Sequence, residues 1–221
     1  MSDVSESQQP RLRITEIFFS LQGEAKTVGF PTVFVRLTGC PLRCTYCDTE
    51  YAFTGGKWMG LDEILDTVAN YKARHVCVTG GEPLAQKQCL PLLKQLCDAG
   101  YEVSLETSGT MDICQVDRRV SRVMDLKTPT SGEQERNRYE NIGCLDPSDQ
   151  VKFVIGNRDD FDWAVATCQE YRLWERCEVL FSPMFGQIDP AELADWILQG
   201  NLAVRFQMQL HKLLWGDKPG V

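Results

Sequence analysis

Short β-branched runs alternate with amphipathic helical stretches along almost the whole of this 221-residue chain, and that alternation restricts the fold more than any other feature. The strand candidates are residues 32–37 (TVFVRL), 75–79 (HVCVT), 101–106 (YEVSLE), 122–126 (RVMDL), 151–155 (VKFVI), 178–181 (EVLF) and 203–208 (AVRFQM). Mostly apolar runs of this length suit strands buried on both faces of a parallel sheet. Between them, Leu61, Ile64, Leu65, Val68 and Ala69 keep the spacing of one buried helix face. Pro91, Leu93, Leu96 and Cys97 mark a second helix, with Gly100 placed to end it. Residues 159–171 form a third, and Asp189 before Pro190 opens a fourth that runs through Leu193, Trp196 and Ile197 to Gly200. Two weaker helical stretches lie near residues 113–120 and 134–141. The pattern implies an α/β fold, and a partial TIM-like barrel of parallel strands with helices outside satisfies it. Residues 1–13 are polar and read as a flexible tail, and with no repeat or linker residues 14–221 read as a single domain.

The polar motifs fall at one end of these strands. Thr79-Gly80-Gly81-Glu82-Pro83 leaves HVCVT, Glu106-Thr107-Ser108-Gly109 leaves YEVSLE, and Asp125-Leu126-Lys127 ends RVMDL. Ser182-Pro183-Met184 follows EVLF, and His211-Lys212 follows the last strand. Carboxyl ends of parallel strands form the active face of such folds, so this is the layout of an enzyme.

Charge and length exclude several alternatives. Lys plus Arg is 23 against 31 for Asp plus Glu, a net charge of −8, which argues against a nucleic-acid or anionic-membrane binder. No apolar run is long enough to cross a bilayer, and the N-terminal segment lacks the apolar core of a secretory signal, so the expected location is the cytoplasm. Ten cysteines are many for such a chain. A disulfide framework is disfavoured in a reducing compartment. Cys77, Cys89, Cys97, Cys114, Cys144, Cys168 and Cys177 are scattered singly and read as buried small hydrophobes. Cys40, Cys44 and Cys47 are different: they form a C-x3-C-x2-C cluster in GCPLRCTYCDT. A structural zinc site wants four ligands, and no fourth Cys or His lies nearby. A 4Fe–4S cluster held by three cysteines keeps one iron open to a small molecule.

C-x3-C-x2-C, with Tyr46 as the aromatic before its last cysteine, resembles the signature of radical S-adenosylmethionine (SAM) enzymes. In that superfamily the open iron binds the amino and carboxylate groups of SAM, and one electron splits it to methionine and a 5′-deoxyadenosyl radical. TGGEP resembles the superfamily's glycine-rich SAM motif, which implies that Gly80, Gly81 and Glu82 hold the cofactor. The same resemblance implies SAM contacts from the backbone at Tyr46, Cys47 and Asp48, and from Ser108, Asp125, Leu126, Lys127, Ser182, Pro183 and Met184. Related sequences carry serine where Asp125 stands. Read alone, GGEP is equally a tight strand–helix turn.

Within the superfamily, Ile17–Gly23 (IFFSLQG), Glu24, the run FPTVFVRL, Cys47-Asp48-Thr49, ETSG and the final HK resemble the 7-carboxy-7-deazaguanine synthase family of queuosine biosynthesis, a tRNA-modification pathway. The resemblance extends from about Ile14 to Lys212. It implies a lyase that converts 6-carboxy-5,6,7,8-tetrahydropterin to 7-carboxy-7-deazaguanine with loss of ammonia. It implies substrate contacts from Leu21, Gln22, Gly23, Glu24, Arg36 and Thr79, and a Mg2+ ion on Thr49. Arg36 would pair with the substrate carboxylate, for which its planar fork is suited. Without the resemblance, Gln22 reads as a loop amide, Glu24 as a solvated carboxylate and Thr49 as a cap. His211 is as readily structural as functional. A flavodoxin-type electron donor and a homodimer are likewise implied. The family pattern LQGEG reads LQGEA here, with Ala25 in place of the second glycine. Two other readings remain: a radical SAM activase that makes a glycyl radical on a partner enzyme, and a zinc-binding structural module.

Overall fold

The computed structural model describes residues 10–216, 218 and 220–221. One nine-stranded sheet has the order β3-β1-β2-β4-β5-β6-β7-β8-β9. Its strands are β1 (Arg11–Leu21), β2 (Pro31–Leu37), β3 (Lys57–Gly60), β4 (His75–Gly80), β5 (Glu102–Thr107), β6 (Ser121–Asp125), β7 (Gln150–Ile155), β8 (Glu178–Pro183) and β9 (Arg205–Phe206). From β2 through β9 every neighbouring pair is parallel, while β1 runs antiparallel to both β2 and β3. The seven parallel strands are those expected from sequence, although the last shrinks to two residues. The helices are α1 (Leu61–Ala69), α2 (Cys89–Asp98), α3 (Arg158–Tyr171), α4 (Pro190–Gln199) and α5 (Leu210–Trp215). Among the described residues, no helix is long and apolar enough to cross a membrane.

The helix ends follow from local chemistry. Asn157 accepts from the Asp160 amide to cap α3, and Asp189 does the same for α4 through Ala191, with Pro190 at the first turn. Gly100, at φ +89°, ends α2, and Asn201, at φ 43°, turns the chain after Gly200. The expected helices near 113–120 and 134–141 do not form. Asp112 and Asp117 accept from the amides of Cys114 and Arg119, two residues on, and so hold the first stretch in turns. The second is broken into 3-10 segments at Gln134–Arg136 and Tyr139–Cys144.

Three further expectations are corrected. Residues 11–13 are not a tail: β1 starts at Arg11, and the rest of that segment apart from Pro10 lies outside the described residues. The parallel strands are not apolar on both faces. Val33, Val35, Val76, Val78, Leu105, Val151, Phe153, Val179 and Phe181 pack on the helix side. The alternate residues, Arg36, Thr79, Glu106, Asp125 and Lys152, line a cavity on the inner side. Nor are all seven scattered cysteines buried thiols: Cys77, Cys89, Cys168 and Cys177 are, Cys97 is half-exposed, and Cys114 and Cys144 form a disulfide. No purely local pattern announces a pair 30 residues apart.

Candidate active site

The inner-face cavity has a volume of about 580 Å3 and opens at the carboxyl ends of the parallel strands. Its cysteine wall is the loop leaving β2. Cys40, Cys44 and Cys47 all line it and are half-buried free thiols. The loop is pinned by its surroundings: the Gly39 amide donates to Ala52 O, Thr45 Oγ1 to Thr130 O, and the Arg43 guanidinium lies 4.2 Å from the Phe53 ring centre. Burial pushes all three thiols up, Cys44 to about 11. Ligation, which takes thiolates, must therefore displace their protons. A single zinc ion needs its donors to converge within about 2.3 Å of one point. Among the described residues no three His, Cys, Asp or Glu side chains do so. Cysteines that each bind a different iron of a cluster need not converge in that way.

The glycine-rich turn after β4 packs on this loop. The Gly81 amide donates to Leu37 O and the Glu82 amide to Gly39 O, and a Cβ on Gly81 would stand 2.3 Å from Gly39 O. The close approach that requires glycine is thus made to the cysteine loop. Glu82 itself is fully buried away from the cavity, where its carboxylate accepts from Leu84 N, the Thr107 hydroxyl, and the amide and hydroxyl of Ser108. It ties the end of β4 to the end of β5.

Opposite the cysteines lies a set of charged and amide side chains from four strands and the loop after β1. Gln22 Nε2 donates to Glu106 Oε1 at 3.3 Å, and the Thr79 hydroxyl donates to Glu106 Oε2 at 3.2 Å. Glu24 accepts from Gln209 Nε2 at 2.7 Å and from Lys152 Nζ at 2.5 Å. Arg36 Nε donates to Glu16 Oε1 at 2.7 Å, and Tyr51 OH donates to the same oxygen at 2.8 Å. Burial raises the Glu106 carboxyl above the usual carboxylate range. Burial alone would lower the Lys152 ammonium, but Asp125, Glu24 and Glu106 overcome it and hold the group well above its ordinary value.

Between these two walls stand Asp125, Lys127 and Tyr46. Lys127 Nζ donates to Asp125 Oδ2 at 2.7 Å and lies 5.8 Å from the Tyr46 ring centre. Asp125 Oδ1 makes no hydrogen bond among the described residues, and neither does the buried hydroxyl of Ser182. Ser182 pairs in register with the cavity-lining Val154. Asp125 Oδ1, which has only a long ion pair to Lys152 at 3.4 Å, and the unpartnered Ser182 hydroxyl fit a polar ligand that supplies hydrogen bonds. Thr49 Oγ1 donates to Asp48 Oδ1 at 2.7 Å, so two oxygen donors of the kind Mg2+ prefers stand together beside Cys47.

The structure therefore brings most of the expected site residues to one cavity: Leu21, Gln22, Gly23, Glu24, Arg36 and Thr79 on one side, and the three cysteines, Tyr46, Asp48, Thr49, Gly80, Gly81, Ser108, Asp125, Lys127 and Met184 on the other. Glu82, Leu126 and Pro183 lie behind that wall rather than in it, and Ser182, though on the inner side of the sheet, sits below the cavity lining. Glu106 and Lys152 are additions, and Glu16 backs Arg36 from outside the lining. Lys152 carries the same signal as Arg36, a lone cation inside an apolar run (VKFVI beside TVFVRL). His211 joins them: its ring occupies the space a side chain at Gly23 would need, with Nδ1 2.2 Å from that Cβ position. Val221 also lines the cavity.

A partly closed parallel barrel with three cysteines at the mouth of its first parallel strand defines the class, and residues 34–176 match the radical SAM superfamily. QueE from Escherichia coli has a similar fold, with a TM-score of 0.72 over 91% of this chain and 95% of that one, at 24% identity. Curated relatives narrow the class. The 7-carboxy-7-deazaguanine synthase of Chlorobaculum tepidum is 42% identical over 219 residues, covering 97% of this chain and all of the relative. That of Koribacter versatilis is 40% identical, covering 92% of this chain and 97% of its own. The chain belongs to the 7-carboxy-7-deazaguanine synthase family.

Proposed function

We propose that this protein is a radical SAM lyase that converts 6-carboxy-5,6,7,8-tetrahydropterin to 7-carboxy-7-deazaguanine with release of ammonia. The observation that carries this reading is the single cavity in which the cysteine triad faces Glu24, Glu106, Gln22 and Arg36. Cys40, Cys44 and Cys47 would hold the 4Fe–4S cluster, and Asp125, Lys127, Ser108 and the backbone at Tyr46–Asp48 would hold SAM. Bound there, the pair supplies one-electron, hydrogen-abstracting chemistry, which belongs to the cofactor rather than to a side chain.

The protein's own contribution is recognition and orientation. Glu24 and Glu106 offer acceptors to the N–H-rich edge of the pterin, and the Gln22 carboxamide fixes Glu106 against that edge. Arg36 receives the substrate carboxylate. Thr49, with Asp48 beside it, supports Mg2+ near the same carboxylate, because a hard cation takes oxygen ligands and bridges anionic groups. We read residues 11–221 as one radical SAM domain working in the cytoplasm, where an oxygen-sensitive cluster can be kept reduced, with a flavodoxin-type donor and as a homodimer.

Anaerobic reconstitution tests the reading. Protein with iron and sulfide restored, given SAM, a low-potential reductant, Mg2+ and the pterin, should yield the ring-contracted product and ammonia. Reconstituted protein with a full cluster and no such product would refute it. For the metal, Thr49→Ala should abolish most of the stimulation by Mg2+; unchanged stimulation removes Thr49 from that role.

A further inference from the structure

Lys152 is the least expected group in the cavity. It sits in the middle of β7, its side chain is about nine-tenths buried, and its ammonium is within reach of two carboxylates on opposite sides of the site. One is Glu24, at 2.5 Å, on the proposed pterin side. The other is Asp125, whose Oδ1 is 3.4 Å away and makes no hydrogen bond, on the proposed SAM side. Asp125 is held from beyond by Lys127, and Glu24 by Gln209. Charges thus alternate along a line from the pterin wall to the cysteine wall: Glu24, Lys152, Asp125, Lys127.

Resting on the function proposed above, we infer that Lys152 is a positioning residue that couples the two subsites, orienting Glu24 for the pterin while sharing its charge with Asp125. With neither ligand bound, one ammonium serves two carboxylates. Any donor that SAM, itself a sulfonium cation, brings to Asp125 Oδ1 would compete with Lys152 for that carboxylate. Lys152 then serves Glu24 alone and holds it in one orientation for the pterin. The strand fixes the lysine backbone, so the shift is one of side-chain pairing and needs no movement of the sheet. Coupling of this kind is reciprocal: each ligand must tighten the other by the same factor.

Calorimetric titration of the reconstituted holoenzyme, cluster oxidised and no reductant present, measures this without turnover. SAM should tighten binding of 6-carboxy-5,6,7,8-tetrahydropterin by about fivefold or more. In Lys152→Met the pterin should bind more weakly and the enhancement by SAM should fall to about twofold or less. Asp125→Asn keeps the Lys152–Glu24 pair, so at a SAM concentration that direct titration shows to saturate the variant it should lose the enhancement while binding pterin alone at least as well as the native protein. That second variant separates coupling from simple loss of structure, and it serves also if Lys152→Met does not fold. Native protein that binds both ligands with no mutual effect overturns the inference, as does a variant pair that keeps the full enhancement. In either case product formation by the native protein leaves the lyase reading standing. Native protein that binds no pterin overturns both.

Discussion

Arg36 is held ready for an anion before any anion arrives. Its Nε is committed to Glu16, Tyr51 shares the same carboxylate oxygen, and the Phe18 ring centre lies 5.8 Å from the guanidinium carbon. The terminal nitrogens make no hydrogen bond among the described residues, which leaves the planar fork for a carboxylate. Lysine at this position keeps the charge but loses the fork. Arg36→Lys should raise KM for the pterin roughly tenfold or more while leaving SAM affinity unchanged, as steady-state kinetics and direct SAM titration would show. Glu106 has the opposite character. Its folded pKa is raised by burial above the unfolded value of about 4.3, so the native state binds more protons than the unfolded chain in the window between the two. Stability therefore falls as pH rises through that window, because the fold must bury the carboxyl in its ionised form. Glu106→Gln should stabilise the fold by about 1 kcal/mol at pH 7 by denaturant titration, lose that advantage below pH 4, and bind the pterin poorly. Sequence made Arg36 legible because a lone cation in an apolar strand demands a partner. Lys152 obeyed the same rule, but its two partners come from the loop after β1 and from β6, and nothing local ties them to it.

At the scale of elements, β1 decides how the site is furnished. Ile14 pairs with Leu37 but Glu16 pairs with Arg36, so Thr15 is an extra residue in the ladder. That bulge changes which side chains face inward: Leu12 and Ile14 join the helix-side core, whereas Phe18 turns to the cavity beside Phe34 and Glu16 reaches Arg36 from outside the cavity lining. The strand was hidden in sequence because its first residues continue a polar tail and its alternation breaks at the bulge. The parallel strands were legible because each keeps an apolar helix-side face, and their polar cavity face was not, since mostly apolar runs read as strands buried against apolar neighbours on both faces. A second element-scale feature is the Cys114–Cys144 disulfide, which joins the β5–β6 connection to the 3-10 segment before β7. Asn141 already fastens those segments through Gly109 O and Met111 O. The bond should therefore act mainly on the unfolded chain, where a closed loop of 30 residues is worth about 3.6 kcal/mol. Cys114→Ser should lower stability by about that amount in oxidising buffer and by almost nothing once dithiothreitol is present, with product formation in reductant unaltered. Equal loss in both buffers would show that the thiol packing, not the bond, matters.

At the scale of the molecule, the problem the fold must solve is closure. The sheet is open, with β9 at one edge and no ladder joining it to β1. The gap is spanned by a side chain that imitates a strand: Gln207 Oε1 accepts from the Ala25 amide at 2.7 Å, and its Nε2 donates to Ala25 O at 3.0 Å. The Gln207 amide donates to Phe181 O, and the Leu210 amide to Gly23 O, so the chain after β9 is stitched to both sides of the opening. Ala25 sits at φ 62°, the conformation for which the family's glycine is suited, and the clamp from Gln207 holds it there. Glycine at this position relieves about 1 kcal/mol of strain. It also frees the unfolded chain by a similar amount, so Ala25→Gly should be close to neutral in stability. Gln207→Ala should not be neutral. It leaves the amide and carbonyl of a buried residue without partners, which costs about 2–4 kcal/mol, and it releases the loop that presents Glu24. The cysteine loop hangs from β2, the 3-10 turn at Glu50–Ala52 and the Thr130 segment, and among the described residues none of these hydrogen-bonds to Gln207. Denaturant unfolding of Gln207→Ala should therefore show the stability loss, and pterin KM should rise, while cluster content and SAM affinity stay at native values. A variant that loses cluster and pterin binding together would mean that barrel closure and the cysteine wall form one cooperative unit.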